Sequence, residues 1–156
     1  MDRDALQASW EDVMTKAMPV APDLFEETAD GVCLIGGRRK ADGRYVFPLP
    51  SGASAAPFDR VRLGRTGRLW SWTVQRFRPK SPPYAGPPEP GPFVPYAVGY
   101  VELPGQVIVE SRLAVEDFST LRLGLPMEAV AEAFAAGEDG GMVATYAFRP
   151  VAEAAP

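Results

Sequence analysis

Eight prolines fall between positions 79 and 95, in the run PKSPPYAGPPEPGPFVP. Each fixes its own φ and removes a backbone donor, so the run forms neither a helix nor a central strand. It reads as a semi-rigid surface loop, partly polyproline II, that displays Tyr84 and Phe93. The same punctuation runs through the whole chain, with seventeen prolines and fifteen glycines in 156 residues. That excess favours short elements joined by many turns. Apolar residues make up 46% and charged residues 23%, an ordinary globular balance at a length that suits one domain.

The chain has no histidine and one cysteine, Cys33. A His general base, a Ser-His or Cys-His dyad and an imidazole metal ligand are therefore excluded. An intrachain disulfide, a CxxC pair and an all-cysteine zinc site are excluded as well. No run of about 20 apolar residues encodes a membrane span. The first residues, MDRDALQASWEDV, are acidic and amphipathic, unlike a secretory leader, and a cytoplasmic location is the expectation.

Charge is distributed unevenly. Residues 38 to 80 hold eleven of the sixteen cations and only two acids, Asp42 and Asp59. This stretch is +9 and the remainder −13, an asymmetry that points to an anionic ligand or an acidic partner surface. Solvated cations balanced by acidic neighbours explain it equally well.

Periodicity predicts a helix over residues 4 to 17, with Leu6, Trp10, Val13, Met14 and Ala17 on one face. Trp10 is then either a core residue or an anchor for another chain. Asp23 is placed to cap a short helix through Phe25 and Thr28. Asp42-Gly43 marks a hairpin turn between GRRKA and RYVF. Arg60 to Leu63 alternates as a strand, and RLWSWTVQRF from Arg68 to Phe77 is a longer one, with Trp70 and Trp72 on the same face. YAVGYVELPGQVIVESRLAV gives two strands joined at Pro104-Gly105. Residues 127 to 134 are ambiguous: Met127, Val130, Ala131 and Phe134 have helical spacing, and a strand pair turned at Gly140-Gly141 is the rival.

About five strands with glycine and proline turns imply a small barrel or sandwich, and their order suits a five-stranded OB-type Greek-key barrel. The expected layout is an N-terminal helical segment (1–30), a ribbon-like hairpin (31–58), an OB-fold domain (59–150) and a tail (151–156).

Four motifs then carry a family resemblance. Gly67 opens a strand with Trp70, Ser71, Trp72 and Thr73; Pro95-Tyr96 opens another that ends at Val101, Glu102 and Leu103; Leu121, Gly124 and Pro126 form a turn; and Phe47-Pro48 closes an upstream knuckle. Together they resemble the acyl-CoA-associated proteins that pair a rubredoxin-like zinc ribbon with an OB fold and accompany thiolases and sterol-carrier-type thiolases. The resemblance covers about residues 22 to 135 and turns the 127–134 segment toward strand. One departure is large. The family's ribbon carries paired CxxC knuckles, and here Arg39 and Asp42 stand where the first two thiolates would be. A zinc site cannot be assembled from what remains. The expectation is a ribbon shape without metal, in which Arg39 and Asp42 pair.

The resemblance implies a non-catalytic accessory subunit of a thiolase-like enzyme, whether thiolase, acyl-CoA retro-aldolase or acyltransferase. The partner would hold the catalytic residues, and this chain would assist acyl-CoA binding. The expected phosphate contacts for the coenzyme A moiety are Arg76, Arg78 and Lys80. The expected partner anchors are Trp10, Phe25, Tyr84, Phe93 and Tyr96. A rival from another class is a single-stranded nucleic-acid-binding barrel using Arg62, Arg65, Trp70, Trp72, Arg76 and Arg78, which the acidic isoelectric point of about 4.9 disfavours. A standalone carboxylate enzyme built on Glu110, Glu116 and Asp117 is weaker still, since these read as solvated hairpin residues.

Overall fold

The computed structural model describes residues 18–80, 91–135 and 142–151. The predicted helix over 4–17, with Trp10, and the loop carrying Tyr84 lie outside the described residues. Among the described residues, ten strands run in chain order: β1 (Met18–Pro19), β2 (Phe25–Thr28), β3 (Gly31–Arg39), β4 (Tyr45–Val46), β5 (Phe58–Arg62), β6 (Thr66–Gln75), β7 (Tyr96–Glu102), β8 (Ile108–Leu113), β9 (Pro126–Ala135) and β10 (Met142–Pro150).

Five of them close a barrel. β6 pairs antiparallel with β7, β7 with β8, and β9 with both β6 and β10. The ring is completed by a parallel contact of β10 with β8 at Phe148 and Leu113, and β1 adds to β10. Inward positions follow a period of two, as a half-buried strand requires. Ala97, Val101, Val109, Leu113, Met127, Ala129 and Phe148 are all buried. Each large side chain buried in this way contributes about 1.5–3 kcal/mol.

The segment 127–134 is strand, as the family resemblance implied and its own periodicity did not. Its alanines, methionine and glutamates are good helix formers, but the pairing of β9 with β10 from Met127 to Ala135 uses its backbone groups and overrides propensity.

A smaller sheet sits beside the barrel. β3 is central: β2 pairs with its first half, while β4 and β5 flank its second half. The short helix expected after Asp23 is not formed. A helix cap needs extended backbone, whereas Asp23 has φ of 57°, and residues 25–28 spend their backbone groups on the ladder with β3. The two sheets share one core, since Val32 and Leu34 of β3 and Leu63 join Leu69, Val101, Met127 and Phe148. Phe47, just past β4, meets Tyr146 of β10 edge to face at 5.4 Å and ties the small sheet to the barrel.

Candidate functional site

The outer face of the barrel is organised by one irregularity in β6. Leu69 pairs with Val101 and Ser71 with Tyr100, so Trp70 is an extra residue, a β-bulge. The bulge shifts the alternation by one. Leu69 points inward, Trp70 outward, and then Trp72 and Val74 pack on the core. The two tryptophans therefore do not share a face, contrary to what strict alternation predicts. Trp72 is half-buried and packed against the core, and Trp70 is 56% exposed.

Outside, Trp70 meets Tyr100 of β7 edge to face at 6.2 Å. Ile108 of β8 is diagonal to Tyr100, because Tyr100 stands opposite Glu110 and Glu102 opposite Ile108. All three are exposed, as is Leu123. The loop bearing Leu123 runs along the bulge: the Gly124 N–H donates to the Leu69 carbonyl, and the Leu69 N–H donates to the Leu125 carbonyl. The barrel thus presents an aromatic pair, an isoleucine and a leucine to solvent, a combination that marks an interaction surface more often than a bare face.

The basic stretch is largely engaged by its own neighbours. Arg62 pairs with Glu26, and Arg60 reaches Glu26 at 3.4 Å and Asp23 at 3.5 Å. These guanidiniums hold the Glu26 carboxyl below its ordinary range. Arg65 donates to the Val32 carbonyl and Arg68 to the Gly124 carbonyl at 3.1 Å. The groove needed for a single-stranded nucleic acid is therefore not assembled. Trp70 and Trp72 lie on opposite faces of β6, Arg62 is paired, and Arg65 is turned toward β3.

At the knuckle, the turn expected at Asp42-Gly43 is present, with Gly43 at φ of 74°. The Arg39 guanidinium holds both oxygens of Asp42, with Nε to Oδ1 at 2.8 Å. The Arg44 N–H donates to Asp42 at 3.2 Å, and the Arg44 side chain approaches it at 3.7 Å. Arg39 first, then the backbone N–H of Arg44, hold the Asp42 carboxyl far below the usual carboxylate range. Cys33 is buried in β3, outside this turn. Among the described residues, no group of three or more His, Cys, Asp and Glu side chains could hold a metal ion.

The remaining sequence-predicted residues fall in two places. Phe25 packs against the shared core. Phe93, Tyr96 and Arg78 gather at the barrel end where β6 leaves and β7 begins. The two rings lie 6.1 Å apart, the Arg78 guanidinium sits 5.9 Å from the Phe93 centroid and donates to the Gly91 carbonyl, and Arg112 lies 4.1 Å over Tyr96. Arg76 and Lys80 are exposed on the same exit segment. Trp70, Tyr100 and Ile108 were not among the sequence-predicted anchors. Only the bulge reveals Trp70, whereas Tyr100 and Ile108 were accessible through the alternation of β7 and β8.

The strand circuit β6-β7-β8-β10-β9, closed back on β6 and with its single parallel contact between the third and fifth strands, defines an OB-fold barrel. The residues agree with the topology. Residues 60–132 match the family model described as the ChsH2 C-terminal OB-fold domain, so over this stretch the chain is similar to that domain. A solved structure titled "Ltp2-ChsH2(DUF35) aldolase" aligns with 76% of this chain and 84% of that chain at 22% identity and a TM-score of 0.49. A search of curated proteins found no match.

Proposed function

We propose that this chain is a non-catalytic accessory subunit of a thiolase-like acyl-CoA enzyme. The observation that carries the reading is the match of residues 60–132 to the ChsH2 C-terminal OB-fold domain, in the region where the four sequence motifs also fall. The exposed Trp70, Tyr100, Ile108 and Leu123 lie within that same stretch and supply a docking face for the partner. The partner contributes the nucleophile and the acid-base residues; this chain completes the interface. Aromatic anchors of this kind dominate the energy of protein interfaces. In a binding assay with the thiolase-like chain, Trp70→Ala with Tyr100→Ala should weaken the complex at least tenfold. Undiminished binding by the double variant would remove this face from the proposal.

Acyl-CoA binding by the complex is assigned to Arg76, Arg78 and Lys80, which follow β6 in the chain. Phosphate oxygens favour such cations. Replacing all three with alanine should weaken acyl-CoA binding by the complex at low salt. Equal affinity in the triple variant would rule these residues out.

A further inference from the structure

The knuckle between β3 and β4 forms the wall of a second feature, independent of the docking face. A polar cleft of about 360 Å³ opens there, lined by Arg38, Arg39, Lys40, Asp42, Gly43 and Asp59. We propose that this cleft is a binding site for phosphate-type dianions, with Arg38 as the residue that grips the ligand.

The charges in the cleft are spent unequally. Both carboxylates are already occupied: Asp42 by Arg39 and Arg44, and Asp59 by Lys40 at 4.0 Å. Arg38 stands opposite Asp59 in the β3–β5 register and opposite Tyr45 in β4. Yet its guanidinium has no hydrogen bond or ion pair among the described residues. Arg38, Arg39 and Lys40 against Asp42 and Asp59 leave the lining one positive charge in surplus, and Arg44 at the same turn adds a second beside it, a balance that favours an anionic ligand.

The shape of the site favours the same ligand. The Arg39–Asp42 clamp holds the turn in place, and the absence of a side chain at Gly43 lets the Arg38 guanidinium lie against the turn. A Cβ at position 43 would come within 3.1 Å of its Nη2, at a backbone φ of 74° that disfavours any side chain. A planar fork with unspent donors on the wall of a concave site accepts two oxygens of one phosphate side by side. The cleft volume leaves room for a second phosphoryl group or for the organic part of a monoester.

The test uses the full chain labelled with ¹⁵N and titrated at low ionic strength with inorganic phosphate, pyrophosphate and malonate. The expected result is amide shifts confined to residues 38–44 and 59–60, with pyrophosphate bound more tightly than malonate. Arg38→Gln should weaken pyrophosphate binding about tenfold, and Arg38→Lys, which keeps charge and loses the fork, should fall between. Arg38 is exposed, so unchanged amide positions elsewhere verify that each variant is folded. Wild-type affinity in Arg38→Gln, or shifts centred on residues 76–80, would overturn the proposal. So would tighter binding of a hexaglutamate peptide than of pyrophosphate, which would assign the cleft to an acidic protein segment.

Discussion

Asp42 holds the Arg39 guanidinium, the Arg44 N–H and the approach of the Arg44 side chain at one exposed turn. Its folded-state carboxyl titrates below its unfolded value, so the stability it contributes is complete above the ordinary carboxylate range. That contribution is lost as pH falls through the folded value. Thermal melts should therefore place the wild type above Asp42→Asn at about pH 7, with the gap closing toward about pH 2. A gap that persists at low pH would show that the clamp is not what Asp42 supplies. This contact was expected through the family resemblance, which sets Arg39 and Asp42 where the first two thiolates of the ribbon would stand. Arg62 pairing with Glu26 was not legible, since the two residues are neighbours only through the packing of β2 and β5 around β3.

Individual elements show where a strand pattern misleads. RLWSWTV reads as clean alternation, but the bulge at Trp70 sends one tryptophan outward and the other inward. Its cause is long-range pairing with Tyr100, which no local pattern encodes. Trp72→Ala should therefore cost about 2–4 kcal/mol in denaturant unfolding, while Trp70→Ala should stay within about 0.5 kcal/mol. Equal losses would mean that both rings are packed in the core. The start of the same strand is more readable. Gly67, singled out as a strand opener, lies so close to the Glu102 carbonyl that a Cβ would collide with it. β9 was ambiguous because its alanine and glutamate content favours helix, and only its partners β6 and β10 settle it. The strand Phe25–Thr28 was missed for a related reason: Asp23 looks like a cap, and its left-handed backbone makes a turn instead.

For the whole molecule, the OB fold was legible in the strand order and the four family motifs, whereas the core shared by the two sheets depends on packing that the sequence does not display. The docking face was not, because it depends on the bulge. Part of the charge of the +9 segment is met in space by acids from outside it, Glu26 and Asp23. Arg38 at the knuckle keeps its guanidinium without a hydrogen bond or ion pair among the described residues. The proposed role depends on a thiolase-like partner. The most direct measurement is affinity purification of the tagged full chain from its native cell, with mass spectrometric identification of the stoichiometric partner. The expected result is a thiolase-like chain at stoichiometric yield, lost when Trp70 and Tyr100 are both replaced by alanine. Recovery of the chain alone, or with nucleic acid in place of a thiolase-like protein, would contradict it.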